Sequence, residues 1–405
     1  MSVAASGIAL ARPTSRGVPI LRLAQAFAYA LLGAFIFFIC FTFLRPSPYD
    51  FIALPAMALW LALGIRLHRS SVPFVGLLFA YHVGLLIALL PYFDEPRPVE
   101  WTYQSVYLMV TAIFFAMFFS DRTASRIEFV LKAYLASCLF AAAAGIASYY
   151  DLFDRVLFKM DGRAAGVFED PNVLGSFLIP GALYLMHNLI AGRSRVPLLA
   201  VASLAVLATG IFLSFSRGSW LALVVSTGTM VALMYRTSVS ARLRARIVAL
   251  TVAAAALAAV AVAGALSVTD IADRFEDRAQ LTKDYDEGVT GRFGNQLRSI
   301  PMLIERPNGF GPLRFRLFFG LEPHNSYIGG FANGGWLGGF SFLFLVLATT
   351  YVGFLLCLPS PSAARRRSSG RRCSSSSCRR CRSTWIIGAT CSCCSGWCGG
   401  SKPRG

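Results

Sequence analysis

The stretch RTSVSARLRARIVALTVAAAALAAVAVAGALSV, residues 236–268, opens with four arginines in eleven residues and then runs to its end without a charge. About 20 apolar residues rising 1.5 Å each span the hydrocarbon core of a bilayer. Lys and Arg accumulate in loops on the cytoplasmic side. The stretch therefore reads as a membrane helix entered from the cytoplasm.

Working outward, similar apolar runs lie at about 21–43, 50–65, 72–92, 104–120, 127–150, 173–191, 197–214, 219–235 and 327–358, making ten expected spans with that at 246–268. The second and eighth are the short ones. The expected fold is an all-α polytopic integral membrane protein with one long outer loop near its C-terminal end. Composition agrees: 56% of the 405 residues are hydrophobic and 14% charged, where soluble domains carry about 25% charged.

Loop charge sets the expected orientation. The basic segments 66–70, 121–126, 192–196 and 236–246 fall on one side by alternation, together with a cytoplasmic N-terminus at 1–20. Arg12, Arg16 and Arg22 precede a first run too long for a signal peptide, which reads as an anchor. The opposite side receives FDEPRPVE (93–100), the connection 151–171, the turn Ser216-Arg217-Gly218 and the long segment 269–325. In that segment GRFGNQLRSIPMLIE (291–305) has the pattern of an amphipathic surface helix.

The formal net charge of +18 suggests nucleic acid until its location is considered. Residues 365–405 hold nine Arg, one Lys and no acid, leaving +8 over residues 1–364, ordinary for a membrane protein. Nucleic acid is not implied. Seven of ten cysteines crowd between Cys373 and Cys398 without the histidines or paired CxxC of a zinc site, so no metal is expected. The Arg/Ser/Cys tail at 359–405 begins abruptly, as translation out of frame in a GC-rich gene would produce. On that expectation one or two further helices are lost, and resequencing the 3′ end tests it.

Arginine is disfavoured in outer loops, so Arg163, Arg217 and Arg292 stand out. Guanidinium presents a fixed fork of donors matched to phosphate oxygens. One of four histidines, His324, sits where the long loop meets the last apolar run, in EPHNSYIGGFANGGWLGG (322–339). A neutral imidazole there can accept a proton from an attacking hydroxyl.

These residues resemble the O-antigen ligase and polymerase superfamily. The ligase signature is met by His324, Asn325, Gly335 and Gly338 at the family's spacing. RAAGVFEDPN (163–172), SFSRGSW (214–220), and GR followed by PNGFGP (307–312) agree with it. The likeness covers roughly residues 150–358. It implies transfer of a glycan from undecaprenyl diphosphate to an acceptor hydroxyl on the periplasmic face of the bacterial inner membrane, with no cofactor, and it makes the long outer loop periplasmic. Arg217 and Arg292 would bind the diphosphate, and His324 would orient or deprotonate the acceptor. Arg163 is a candidate for phosphate or sugar contact, Asn325 for holding the histidine ring, and Glu322 for an alternative base. The acceptor would be lipid A core in a ligase or another lipid-linked saccharide in a polymerase. A membrane solute or anion transporter and an envelope scaffold remain as readings of other classes.

Overall fold

The computed structural model describes residues 17–42, 47–152, 157–238, 240–279, 288 and 291–357. The segment 1–16 and the tail 359–405, with its cysteine cluster and its expected change of frame, lie outside the described residues. Five helices precede a hairpin: α1 (Gly17–Phe38), α2 (Pro48–Ala62), α3 (Val72–Leu89), α4 (Pro96–Phe119) and α5 (Thr123–Tyr149). The hairpin strands are β1 (Phe158–Met160) and β2 (Arg163–Gly166). Then come α6 (Pro171–Ile190), α7 (Pro197–Leu213), α8 (Arg217–Thr237), α9 (Ala241–Ala265) and α10 (Thr269–Ala279). The described chain ends with α11 (Arg292–Ile304), α12 (Phe315–Phe319) and α13 (Ser326–Cys357).

Eight of these helices are long and apolar enough to cross a membrane, and two apolar helices, α2 and α7, are shorter. One expectation changes. The eighth run is not short, because α8 begins at Arg217 itself and reaches 21 residues; the seventh, α7, is the shorter one at 17. The connection 151–171 contains the hairpin, in which Asp161 and Gly162 both take positive φ and turn β1 back along β2, pairing Met160 with Arg163. Positive φ at both central residues is the hairpin turn that Asp-Gly favours.

Helix starts follow from local chemistry. Proline opens α2, α4, α6 and α7, where its missing N–H would have no helical partner anyway. Between helices, small residues allow close approach: Gly145 faces Leu174, Gly181 faces Cys138, and Gly210 faces Leu178 and Ala142. Side-chain donors reach backbone carbonyls between helices, from Tyr134 of α5 to Phe177 of α6 at 2.7 Å and from Ser137 of α5 to Phe37 of α1 at 2.8 Å. One buried cluster joins α5, α6 and α7 around Leu174, Leu178, Leu207 and Ile211; another joins α1, α2 and α4 around Leu32, Phe35, Trp60 and Phe118. The hairpin seats on the end of α5, with Gly166 N donating to Ser148 Oγ at 3.2 Å, and meets the end of α1 where Thr42 Oγ1 donates to the Val167 carbonyl at 3.4 Å.

Candidate functional site

The singled-out residues form two sets on different elements. Arg163 starts β2 and is buried, 8% exposed. Its Nε donates to the Ser214 carbonyl at 2.9 Å and its Nη2 to Asn172 Oδ1 at 2.8 Å. Asn172 is itself set by Asp170, whose Oδ1 accepts from the Asn172 N–H at 2.8 Å and caps α6. Arg163 thus ties the turn after α7 to the start of α6. Within that turn Phe215 takes φ 45°, a left-handed conformation uncommon for a bulky side chain. The next residue, Ser216, caps α8 by accepting from the Ser219 N–H at 3.3 Å. Arg217 is therefore the first helical residue of α8 and half-buried. Ser219 Oγ lies 3.0 Å from Ser216 Oγ and 3.4 Å from the Asn172 carbonyl, and Gly175 leaves room for Ser214 and Ser219.

The second set rests on α11 and the start of α13. Arg292, the first residue of α11, donates from Nη2 to the His324 carbonyl at 3.4 Å. Gln296 Nε2 donates to the Pro323 carbonyl at 2.7 Å, and Asn295 Nδ2 to the Phe319 carbonyl at 3.1 Å. His324 is exposed and has φ 46°. Asn325 caps α13, its Oδ1 accepting from Tyr327 N at 3.0 Å and Ile328 N at 3.3 Å. Glu322 stands 3.9 Å from Arg316 Nε. Burial raises the Glu322 carboxyl above the ordinary carboxylate range, against the lowering influence of Arg316 and His324.

Behind the histidine, α13 is broken. Gly335 has φ 63° and ψ −160°, which no helix contains. In an unbroken helix the Trp336 N–H would bond the Ala332 carbonyl four residues back. Here Trp336 N donates to the Pro307 carbonyl at 2.7 Å, while Ala332 O accepts from Phe310 N at 2.8 Å and Gly311 N at 3.2 Å. The segment 307–311 is laced into the gap, helped by Trp336 Nε1 on the Leu303 carbonyl at 3.0 Å and Leu313 N on Asn333 Oδ1 at 3.1 Å. The following turn crosses α3, where a Cβ on Gly84 would lie 2.5 Å from Gly338 N.

Three features escaped the sequence reading. Asn295 and Gln296 lie within the expected amphipathic helix but carry no signal of their own. Arg314 pairs with Glu95 and lies 3.8 Å over the Tyr92 ring, joining the long loop to the α3–α4 turn. The 307–311 lacing was signalled only by its glycines. Among the described residues there is no cluster of three or more His, Cys, Asp or Glu fit for a metal.

Residues 201–343 match the family model described as O-antigen ligase. The matched range takes in Arg217, Arg292, Glu322, His324 and Asn325 and leaves Arg163 outside it. Comparison with curated proteins and with solved structures gives no match.

Proposed function

We propose that this O-antigen ligase-related, multi-pass membrane protein is a glycosyltransferase that moves a glycan from undecaprenyl diphosphate to an acceptor hydroxyl at the periplasmic face of the inner membrane. The observation that carries the reading is the bond from Arg292 to the His324 carbonyl, within the matched range, which sets a guanidinium against the backbone of an exposed histidine. Arg217 supports it, because a guanidinium at the first position of α8 adds to the positive end of the helix dipole, a setting suited to phosphate.

The acceptor oxygen attacks the anomeric carbon. The carbon–oxygen bond to the diphosphate breaks, and its electron pair leaves on undecaprenyl diphosphate. Arg217 and Arg292 neutralise that growing charge. His324 takes the acceptor proton, with Glu322 as the alternative base. Asn325 fixes the backbone next to the histidine, and Arg163 contributes by holding the turn that presents Arg217. Lipid A core as acceptor makes the protein a ligase; a second lipid-linked saccharide makes it a polymerase.

The test is transfer by the full-length protein in membranes, using an undecaprenyl-diphosphate-linked glycan and each acceptor class, against His324→Ala and Arg217→Ala. Loss of a general base costs about 10²- to 10⁴-fold in rate, and His324→Ala is expected in that range. Undiminished transfer by both variants sinks the assignment. Solute flux without transfer by any version points to a carrier instead.

A further inference from the structure

We infer that Asn295 and Gln296 are positioning residues for His324: with Arg292 they make one face of α11 into a clamp on the backbone that presents the imidazole. The inference rests on the reading of His324 given above.

Positions 292, 295 and 296 are spaced i, i+3 and i+4, so their side chains leave α11 on the same side. Each donates to a main-chain carbonyl of one short segment: Asn295 to Phe319, Gln296 to Pro323 and Arg292 to His324. That segment starts at the last residue of α12, Phe319, and runs as irregular chain from Gly320 to the start of α13. Its irregular part opens at Gly320, φ 75°, and carries a second left-handed residue at His324, φ 46°. Glycine adopts that conformation freely, whereas histidine keeps it only where surrounding contacts hold it.

The contacts here come from two directions. Ahead of His324, Gln296 makes the shortest of the three bonds, to the residue immediately before it. Behind it, Asn325 is committed to the α13 cap. The imidazole is thus carried on a backbone held on both flanks, with Asn295, 3% exposed, anchoring the far end of the segment. A base is effective only while its nitrogen stays within hydrogen-bond reach of the proton it takes. A shift of about 1 Å in a reacting group can cost roughly a hundredfold.

Asn295 is buried, and its replacement would test folding together with positioning. The decisive variant is therefore Gln296→Ala in the full-length protein, beside Gln296→Lys, which keeps an N–H donor at similar reach. With an undecaprenyl-diphosphate-linked glycan as donor, Gln296→Ala is expected to lower kcat about ten- to a hundredfold, with donor KM unchanged. Gln296→Lys should recover part of that loss. In a His324→Ala background the Gln296→Ala change should cost nothing further, because the two act as a unit. Wild-type kcat in Gln296→Ala, a loss confined to KM, or a loss that adds in full to that of His324→Ala overturns the inference. Normal turnover by His324→Ala defeats the base assignment, whereas an inactive His324→Ala beside a fully active Gln296→Ala defeats the clamp alone.

Discussion

Among the charged groups around the histidine, Glu322 has the clearest thermodynamic signature. Its carboxyl is raised by burial, so the folded state holds the proton more tightly than the unfolded chain. Such a group contributes stability below the ordinary carboxylate value of about 4.3 and loses that contribution as pH rises through its folded value. Glu322→Gln removes the titration. Thermal midpoints of wild type and variant, followed from about pH 4 to pH 7, should show wild type losing ground to Glu322→Gln as pH increases. A difference constant with pH would refute this. Histidine shows the limit of spacing arguments at the same scale. His82 is 5% exposed, with ring nitrogens 2.7 Å from the Leu78 carbonyl and 2.9 Å from the Ser105 carbonyl, so the fold itself uses it. His324 is exposed. Sequence position separated the two, since His82 lies inside an apolar run and His324 at the edge of one, but burial and left-handed backbone were not legible, because they are set by partners elsewhere in the chain.

At the level of the element, α13 gives its sequence signature a physical reading. Asn325 caps the helix, Gly335 breaks it where 307–311 enters, and Gly338 lets α3 approach at Gly84. The spacing from Asn325 to Gly335 is thus the length of helix between the cap and the gap. Gly335→Ala should be severe. The conformation at φ 63° and ψ −160° costs a side chain on the order of 1–3 kcal/mol, and the added Cβ would lie 2.2 Å from the Pro307 carbonyl. Gly353→Ala in the same helix is the control, since a Cβ there meets nothing within 4 Å. Alanine in a helix interior is favoured over glycine by roughly 0.5–1 kcal/mol, so this change should be neutral or stabilising. Unfolding of both variants in detergent checks the contrast, and equal behaviour would contradict the break. Gly335 and Gly338 were visible in the sequence as part of a spacing signature, but the break was not, because a break filled by remote chain leaves no local pattern.

Across the whole molecule, the apolar runs and the prolines that open helices were legible because each is written within some 20 consecutive residues. What joins them was not. Arg314 meets Glu95 and Tyr92 across more than 200 positions, and no periodicity records that. Through this tie, and through α3 against α13, helices without a candidate residue brace the part of the chain that carries His324. Arg314→Met should destabilise more than Glu95→Gln. Loss of a partly exposed ion pair costs about 1 kcal/mol or less, while Arg314→Met also forfeits a cation–π contact of about 0.5–2 kcal/mol. Thermal unfolding of both variants and the double mutant measures the split; equal losses would mean the ring contributes nothing.

The exchange of hydrogen bonds at Gly335 also bears on which parts of the chain depend on one another. A bare N–H or C=O in hydrocarbon costs several kcal/mol, and the Ala332 carbonyl and the Trp336 N–H take partners in residues 307–311. Those residues belong to a segment that is made before α13 and must fold back onto it. The stretch Ser326–Cys357 therefore does not complete its own backbone bonding at the break: the two groups left open there are met by a segment that precedes it in the chain, so this helix pair and residues 307–311 make one structural unit.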